Sequence, residues 1–183
     1  TTYHVSPAGL DTNPGTLAAP FRTLQHAAGV LRAGDTLLVE NGTYSQPTGG
    51  PIMPLSQSGT ATSWIWIKAR NRWGAKLQGL PNTNATGVTF GSGVGYVRLE
   101  GLEIFGVSST GNGARAIECY GGGHHVQIVA NHIHDIGRTC TDVSNAMHGI
   151  SVQQPNVTIS GNLIHDIGRL GPGENGCKPA TTN

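Results

Sequence analysis

The chain has 183 residues with 11 basic and 10 acidic side chains, a formal charge of +1, so it lacks the cationic excess that phosphate backbones recruit and is not read as nucleic-acid binding. Hydrophobic residues make up 37 % and charged ones 11 %, the opposite of a disordered composition, and no apolar run approaches the roughly 18 to 20 residues of a membrane span. Glycine (28) and proline (10) are frequent, with many Thr, Ser and Asn, which indicates one turn-rich β domain over residues 1–183.

In chain order, Tyr3 to Ser6 reads as a strand and Asp11 to Gly15 as a turn. From Phe21 to Leu31 the apolar residues at 21, 24, 28 and 31 recur at the helical period. Pro20 precedes this helix and Gly34-Asp35 ends it. Thr36 to Glu40 then starts the first of a series of repeats, closed by a turn at Asn41-Gly-Thr-Tyr44. Lys68, Arg70, Arg72 and Lys76 form one basic patch interleaved with Trp64, Trp66 and Trp73. Cation next to aromatic suits an acidic sugar chain, although some of these tryptophans are expected to face the core.

The second half repeats itself. Val126-Gln-Ile-Val-Ala-Asn-His-Ile-His-Asp-Ile-Gly137 aligns with Val157-Thr-Ile-Ser-Gly-Asn-Leu-Ile-His-Asp-Ile-Gly168 at an offset of 31 residues without a gap. A diverged copy, Val97 to Gly106, lies 29 residues before the first, and Ile65-Trp-Ile67 matches a fourth. Upstream of these, Arg115 to Tyr120 matches His148 to Gln153 at an offset of 33, with Thr86 to Gly91 one copy earlier. Apolar alternation within each copy implies short strands with one face buried. Each repeat therefore holds about three strands, and stacking repeats strand on strand supplies a continuous core that no single repeat can. Asn131 and Asn162, at the same corner of successive copies, are expected to bond to each other along the axis. The helix near the start is expected to cap the open end of this solenoid.

Three cysteines are present. Cys119 sits in an alternating strand and is expected to be a buried small hydrophobe, while Cys140 and Cys177, in polar Gly-rich loops, are candidates for a bridge. Thr1 is preceded by neither Met nor an apolar leader, as in a processed or trimmed chain. The sequons at Asn41, Asn84 and Asn156 are glycosylation acceptors only in a eukaryotic secretory pathway.

The segments Tyr3-His-Val-Ser-Pro7, Asn13-Pro-Gly15, Pro20-Phe-Arg-Thr-Leu-Gln25, Gly34-Asp-Thr36 and Asn41-Gly-Thr-Tyr44 resemble the opening of secreted proteins of the pectin-lyase-like superfamily, closest to its pectate-lyase-9-type branch. The later Val-x-Ile-x-Gly-Asn-x-Ile pattern resembles the generic coil of that fold. The resemblance implies an all-β, right-handed single-stranded parallel β-helix with a capping segment over residues 1–35 and coils over 36–183. It also implies secretion, into an extracellular or periplasmic space. The superfamily has more coils than this length holds, so further C-terminal coils, or a partner chain over that end, are expected. The catalytic lysine and clustered aspartates of the lyase branch have no residue-by-residue match here.

On this fold the ligand groove follows the outer face of the strand read here as upstream in each repeat. That face offers Arg115, Glu118 and Tyr120, then His148, Ser151 and Gln153, with Thr89 earlier, if Ile117, Cys119, Ile150 and Val152 point inward. The loops Gly137 to Ala146 and Gly168 to Asn183 flank it, the second carrying Lys178. Arg115, Glu118 and His148 are the catalytic candidates, because β-elimination beside a uronate carboxylate needs a cation to neutralise that charge and a base near the acidic carbon. Tyr120, Ser151, Gln153 and Lys178 are the substrate-binding candidates. The pairs His134-Asp135 and His165-Asp166 fall one coil apart, where like atoms should lie about 4.8 Å from each other. Two carboxylates that close repel unless a cation bridges them, so Asp135 and Asp166 are candidate calcium ligands with Glu174, or Asp142, completing the shell. Imidazoles would instead suit a transition metal, and the plainer alternative is an Asp capping its own turn beside a histidine ladder. His124-His125 is read as an exposed turn. The activity expected is metal-assisted lyase action on an acidic polysaccharide, against a glycoside hydrolase or a non-catalytic carbohydrate-binding solenoid.

Overall fold

The computed structural model describes residues 1–81, 83–109, 113–138 and 147–168. The strands stack into three parallel sheets around a common core. The first sheet holds β2 (Thr36–Val39), β5 (Ile65–Ala69), β8 (Val97–Glu100), β11 (Val126–Val129) and β14 (Val157–Ser160), with β1 (Thr2–Val5) beside β2. The second holds β3 (Gly42–Tyr44), β6 (Ala75–Gln78), β9 (Glu103–Phe105), β12 (His132–His134) and β15 (Leu163–Ile164). The third holds β4 (Met53–Leu55), β7 (Thr86–Phe90), β10 (Ala114–Cys119) and β13 (Met147–Val152). The chain visits first, second and third sheet in turn, giving a parallel β-solenoid of about five turns.

The registers are those the repeats specify. Val126 pairs with Val157 and Val97, Arg115 with His148 and Thr86, and Ile65 with Val97. Strand β5 shows the inside–outside rule plainly, with Ile65, Ile67 and Ala69 buried while Trp66 and Lys68 point out. Ile104, Ile128, Ile133, Leu77 and Leu99 are fully enclosed, each such side chain contributing about 1.5–3 kcal/mol over exposure.

Between the sheets the backbone turns through the left-handed region at the same place in three successive coils. The corner after the first sheet is Gly101, Ala130 and Gly161, with φ of 75°, 56° and 63°. The corner after the second sheet is Gly106, Asp135 and Asp166, with φ of 69°, 52° and 52°. Glycine enters this region freely and aspartate tolerates it, so Ala130 is the strained member of its column. Next to it the expected amide ladder is present. Asn162 Oδ1 accepts from Asn131 N at 2.8 Å and from Asn131 Nδ2 at 3.0 Å, while Asn131 Oδ1 accepts from Leu102 N at 2.9 Å. Asn131 is completely buried, and its side chain satisfies a sharp bend that would otherwise strand polar backbone in the core.

The N-terminal region differs from expectation in two ways. The helix α1 covers Leu24–Val30 rather than starting at Phe21, because Thr23 caps it and its hydroxyl accepts from His26 N at 3.2 Å. Phe21 is extended instead and bridges Val5 in parallel. Asp11 fixes the cap by accepting from Arg22 N and Thr23 N, both at 2.9 Å, and from the Thr23 hydroxyl at 2.8 Å. The helix buries Leu24, Ala27 and Ala28 and packs against β1 and β4. Second, Asn41 to Tyr44 is not a closing turn, since Gly42–Tyr44 is strand β3. The chain bends at Asn41 so that Tyr44 can be buried, its hydroxyl lying 2.9 Å from Val5 O and 2.8 Å from Glu40 O. Among the described residues no helix is long and apolar enough to cross a membrane.

Candidate functional site

Three outward faces carry side-chain chemistry. On the third sheet, β10 buries Ala114, Ala116, Ile117 and Cys119 and turns Arg115 and Glu118 outward. Two consecutive inward residues break strict alternation, which lets residues three apart share the outer face. Arg115 Nε stands 3.3 Å from Glu118 Oε1. His148 is the register partner of Arg115, and Ser151 and Thr89 are those of Glu118. His148 is exposed and Ser151 half-buried. Tyr120, just past β10, is 55 % exposed, and Gln153 is exposed with its backbone N–H on Cys119 O at 2.8 Å. The expected stripe is therefore assembled from Arg115 to Gln153. Val152, expected to be buried, is 39 % exposed, because β13 is the end strand of its sheet among the described residues. Cys119 is buried and its thiol is pushed up to about 12, by burial first and the Glu118 charge second. Lys178, Glu174, Asp142, Cys140 and Cys177 lie outside the described residues.

The second sheet brings together a set the sequence reading did not assemble. Register stacks Lys76, Glu103 and His132 in one column and Gln78, Phe105 and His134 in the next. Lys76 Nζ donates to Glu103 Oε2 at 2.7 Å, and His134 Nε2 stands 3.2 Å from Glu103 Oε1. His132 Nε2 and His165 Nε2 are 2.9 Å apart. The rings of His134 and His165 stack at 5.3 Å with an interplanar angle of 7°, and Phe105 stacks on the other side of His134. Trp73 packs on His132 with centroids 4.9 Å apart, its indole N–H on Ala130 O at 2.8 Å. Burial opposes the charge of Glu103, yet the hydrogen bonds from Lys76 and His134 hold its carboxyl below the ordinary range. Burial, and then the neighbouring His134, lower His132 from its ordinary value. Glu103 is thus ionised and His132 neutral at pH 7.

The repeated aspartates serve these histidines. Asp135 Oδ2 and Asp166 Oδ2 lie 2.7 Å from Nδ1 of His134 and His165 respectively. The histidine bond, foremost, keeps the Asp166 carboxyl low, and Arg138, 3.8 Å away, adds to it. Calcium takes six to eight oxygen ligands. Each of these carboxylates bonds an imidazole through one oxygen, and Glu174 and Asp142, the other ligands expected, lie outside the described residues. Glu103 and His132 were legible in principle, because the copy beginning at Val97 places Glu103 at the position of His132.

On the first sheet, Trp66 is 42 % exposed and Arg98 lies 5.0 Å over its ring. Arg98 also donates to Glu100 at 2.7 Å and to Gln127 at 2.8 Å. None of Trp64, Trp66 and Trp73 belongs to the buried core; the expectation of core tryptophans fails because Trp66 falls on the outward phase of β5. His124 and His125 are half-buried rather than exposed, held by Tyr96, which stacks on His125 at 4.8 Å. Asn84 is also buried, its amide donating to Gln46 O and Gly50 O at 2.8 and 3.0 Å, so the folded chain offers no glycan acceptor there.

A family profile described as "Pel9A-like, right handed beta helix region" matches residues 3–165. The chain belongs to this family. That makes the solenoid right-handed and agrees with the resemblance of its opening motifs. An uncharacterized protein of Bacillus subtilis (strain 168), YwoF, is 34 % identical over 151 residues, which is 80 % of this chain and 31 % of that protein. A rhamnogalacturonan lyase superposes with a TM-score of 0.64 at 18 % identity, covering 93 % of this chain and 60 % of the lyase. The GH136 lacto-N-biosidase from Eubacterium ramulus gives 0.66 at 19 %, covering 93 % of this chain and 35 % of that enzyme. The chain spans about a third of the length of YwoF and less than two thirds of either enzyme. At these identities the enzymes share the fold, and fold alone does not assign a reaction.

Proposed function

We propose that the chain is the part of a secreted carbohydrate-active protein that binds an acidic polysaccharide and cleaves it by β-elimination on the third-sheet face. The observation that carries this reading is the Arg115–His148 register pair on adjacent coils, with Glu118 on Arg115, in a chain of the Pel9A-like family. A guanidinium matches a carboxylate in a planar fork. Arg115 there neutralises a uronate carboxylate and acidifies the adjacent C–H. His148 takes that proton; the C–H electron pair forms a carbon–carbon double bond, and the glycosidic C–O pair leaves with the departing sugar. Glu118 keeps Arg115 aimed. Exposed Tyr120, with Ser151 and Gln153, supplies a ring face and polar groups for neighbouring sugars.

The test is incubation with pectate, alginate and glycosaminoglycans, following the ultraviolet absorbance of unsaturated ends with and without chelator. The expected result is unsaturated product, lowered by about 100-fold or more in H148A. No unsaturated product on any polyuronate overturns the reading. Activity lost to chelator and restored by calcium adds that cation to it. The hydrolase reading is favoured by the lacto-N-biosidase likeness and by Glu118 as a carboxylate in the stripe; reducing ends without unsaturation select it. Glycan retention on the Trp66–Arg98–Gln127 face without turnover selects a binding module.

A further inference from the structure

The polysaccharide reading leaves the second-sheet cluster without a role. Among the described residues, Glu103, His132 and His134 each present one ligand atom, all within 4.8 Å of one another. His165 adds a nitrogen 2.9 Å from that of His132. Three imidazoles and one carboxylate are a donor set for zinc and its neighbours in the first transition row, not for calcium. Donors around a tetrahedral zinc with bonds of about 2.0–2.1 Å lie roughly 3.3 Å apart. The observed separations of 2.9 and 3.2 Å between paired donors are close to that, and an ion would draw the two pairs together.

The tautomers point the same way. A carboxylate oxygen accepts, so Asp135 Oδ2 and Asp166 Oδ2, each 2.7 Å from Nδ1 of its histidine, engage that nitrogen and leave Nε2 as the atom turned to the cluster. His134 Nε2 stands 3.2 Å from Glu103 Oε1, a gap spanned by the imidazole proton or, with an ion bound, by the metal. A carboxylate holding the far nitrogen of a histidine is the usual support of a metal-bound imidazole. The Ile-His-Asp-Ile-Gly repeat writes that support twice, 31 residues apart. Trp73 and Phe105 wall the cluster, and the Glu103 and His134 side chains are only 13 % and 15 % exposed.

We propose that the second sheet carries a zinc-class transition-metal site, with Glu103, His132 and His134 as ligands, His165 as the fourth donor, and Asp135 and Asp166 as positioning residues. Lys76, bonded to Glu103 Oε2, is the one cation that competes with the ion for that carboxylate among the described contacts.

The experiment titrates the chelator-treated chain with Zn²⁺ by calorimetry and with Co²⁺ by visible absorption, in excess calcium. One equivalent should bind, with d–d bands of a nitrogen-rich site. H132A and H134A should abolish it, D135N should weaken it by about 10–100-fold, and K76M should tighten it. H26Q, on α1, should bind as the parent does. Far-UV circular dichroism identifies any variant that fails to fold, and the opposed shifts of D135N and K76M then carry the test without the alanine variants. Absence of saturable binding, or binding that survives in folded H132A and H134A, overturns the proposal. No step of it requires turnover, so its failure leaves the lyase reading standing, and the reverse also holds.

Discussion

On the third sheet, Arg115 and His148 sit on neighbouring coils as register partners, and Arg115 turns along its own strand to Glu118. On the second sheet, Glu103, His132, His134 and His165 reach across coils to one another. Both faces come from the same repeat. A parallel stack delivers like positions about 4.8 Å apart, so what a column does depends on which side chains fill consecutive copies. Arg115 lies between Thr86 and His148 in its column and pairs with Glu118 along its own strand. Lys76, Glu103 and His132, with a histidine–aspartate pair in the next column, close on themselves. One face pairs along its own strand and the other across coils.

That contrast can be broken by variants that act on one face, on the other, or on the ladder beneath both. The largest effect is expected from N131A, which leaves the buried Leu102 N–H without its acceptor and cuts the amide ladder. It should cost about 3 kcal/mol, read by denaturant unfolding. R115A comes next. It should lower turnover on the polyuronate substrate by about 100-fold while leaving unfolding within roughly 0.5 kcal/mol of the parent; equal losses in both would mean the pair is structural. A130G should gain about 1 kcal/mol by relieving the left-handed alanine that its column mates avoid.

Acid should discriminate the faces further. The folded-state value of His132 is lowered from 6.5, so the unfolded chain takes up that proton first, and stability falls as the pH drops below about 6.5. Glu103, also lowered, adds a second loss below its ordinary value of 4.5. Both groups are close to the surface, so the change is small, under about 1 kcal/mol, and H132Q should remove the first part of the pH profile. The smallest effect concerns Cys119: with its thiol pushed up to about 12, it should resist alkylation at pH 8 in the native chain and react once the chain is unfolded.

Much of the scaffold was legible before any coordinates. Offsets of 29 and 31 residues gave the registers of Val97, Val126 and Val157, and the corner asparagines bond along the axis as the repeat implied. The candidate stripe was legible only in part, since Glu118 follows from strand phase while Arg115 faces out only because Ala116 and Ile117 both turn inward. What was misread depends on neighbours. Phe21 fits the helical period, but pairing with Val5 outweighs it. The Asn41-Gly pair looks like a turn, yet Tyr44 must enter the core and draws Gly42–Tyr44 into a strand. The aspartates repeat because each bonds the histidine before it, a contact the one-coil offset did not reveal.

By itself, then, the sequence determined the solenoid, its period and which residues share a column, because those follow from local alternation and from the identity of successive copies. Which column members touch was decided only in three dimensions. A contact such as Glu103 with His134, or His132 with His165, joins side chains 31 and 33 positions apart, and its distance is set by rotamers, corner conformation and the rings packed alongside. None of these leaves a periodic trace in one chain.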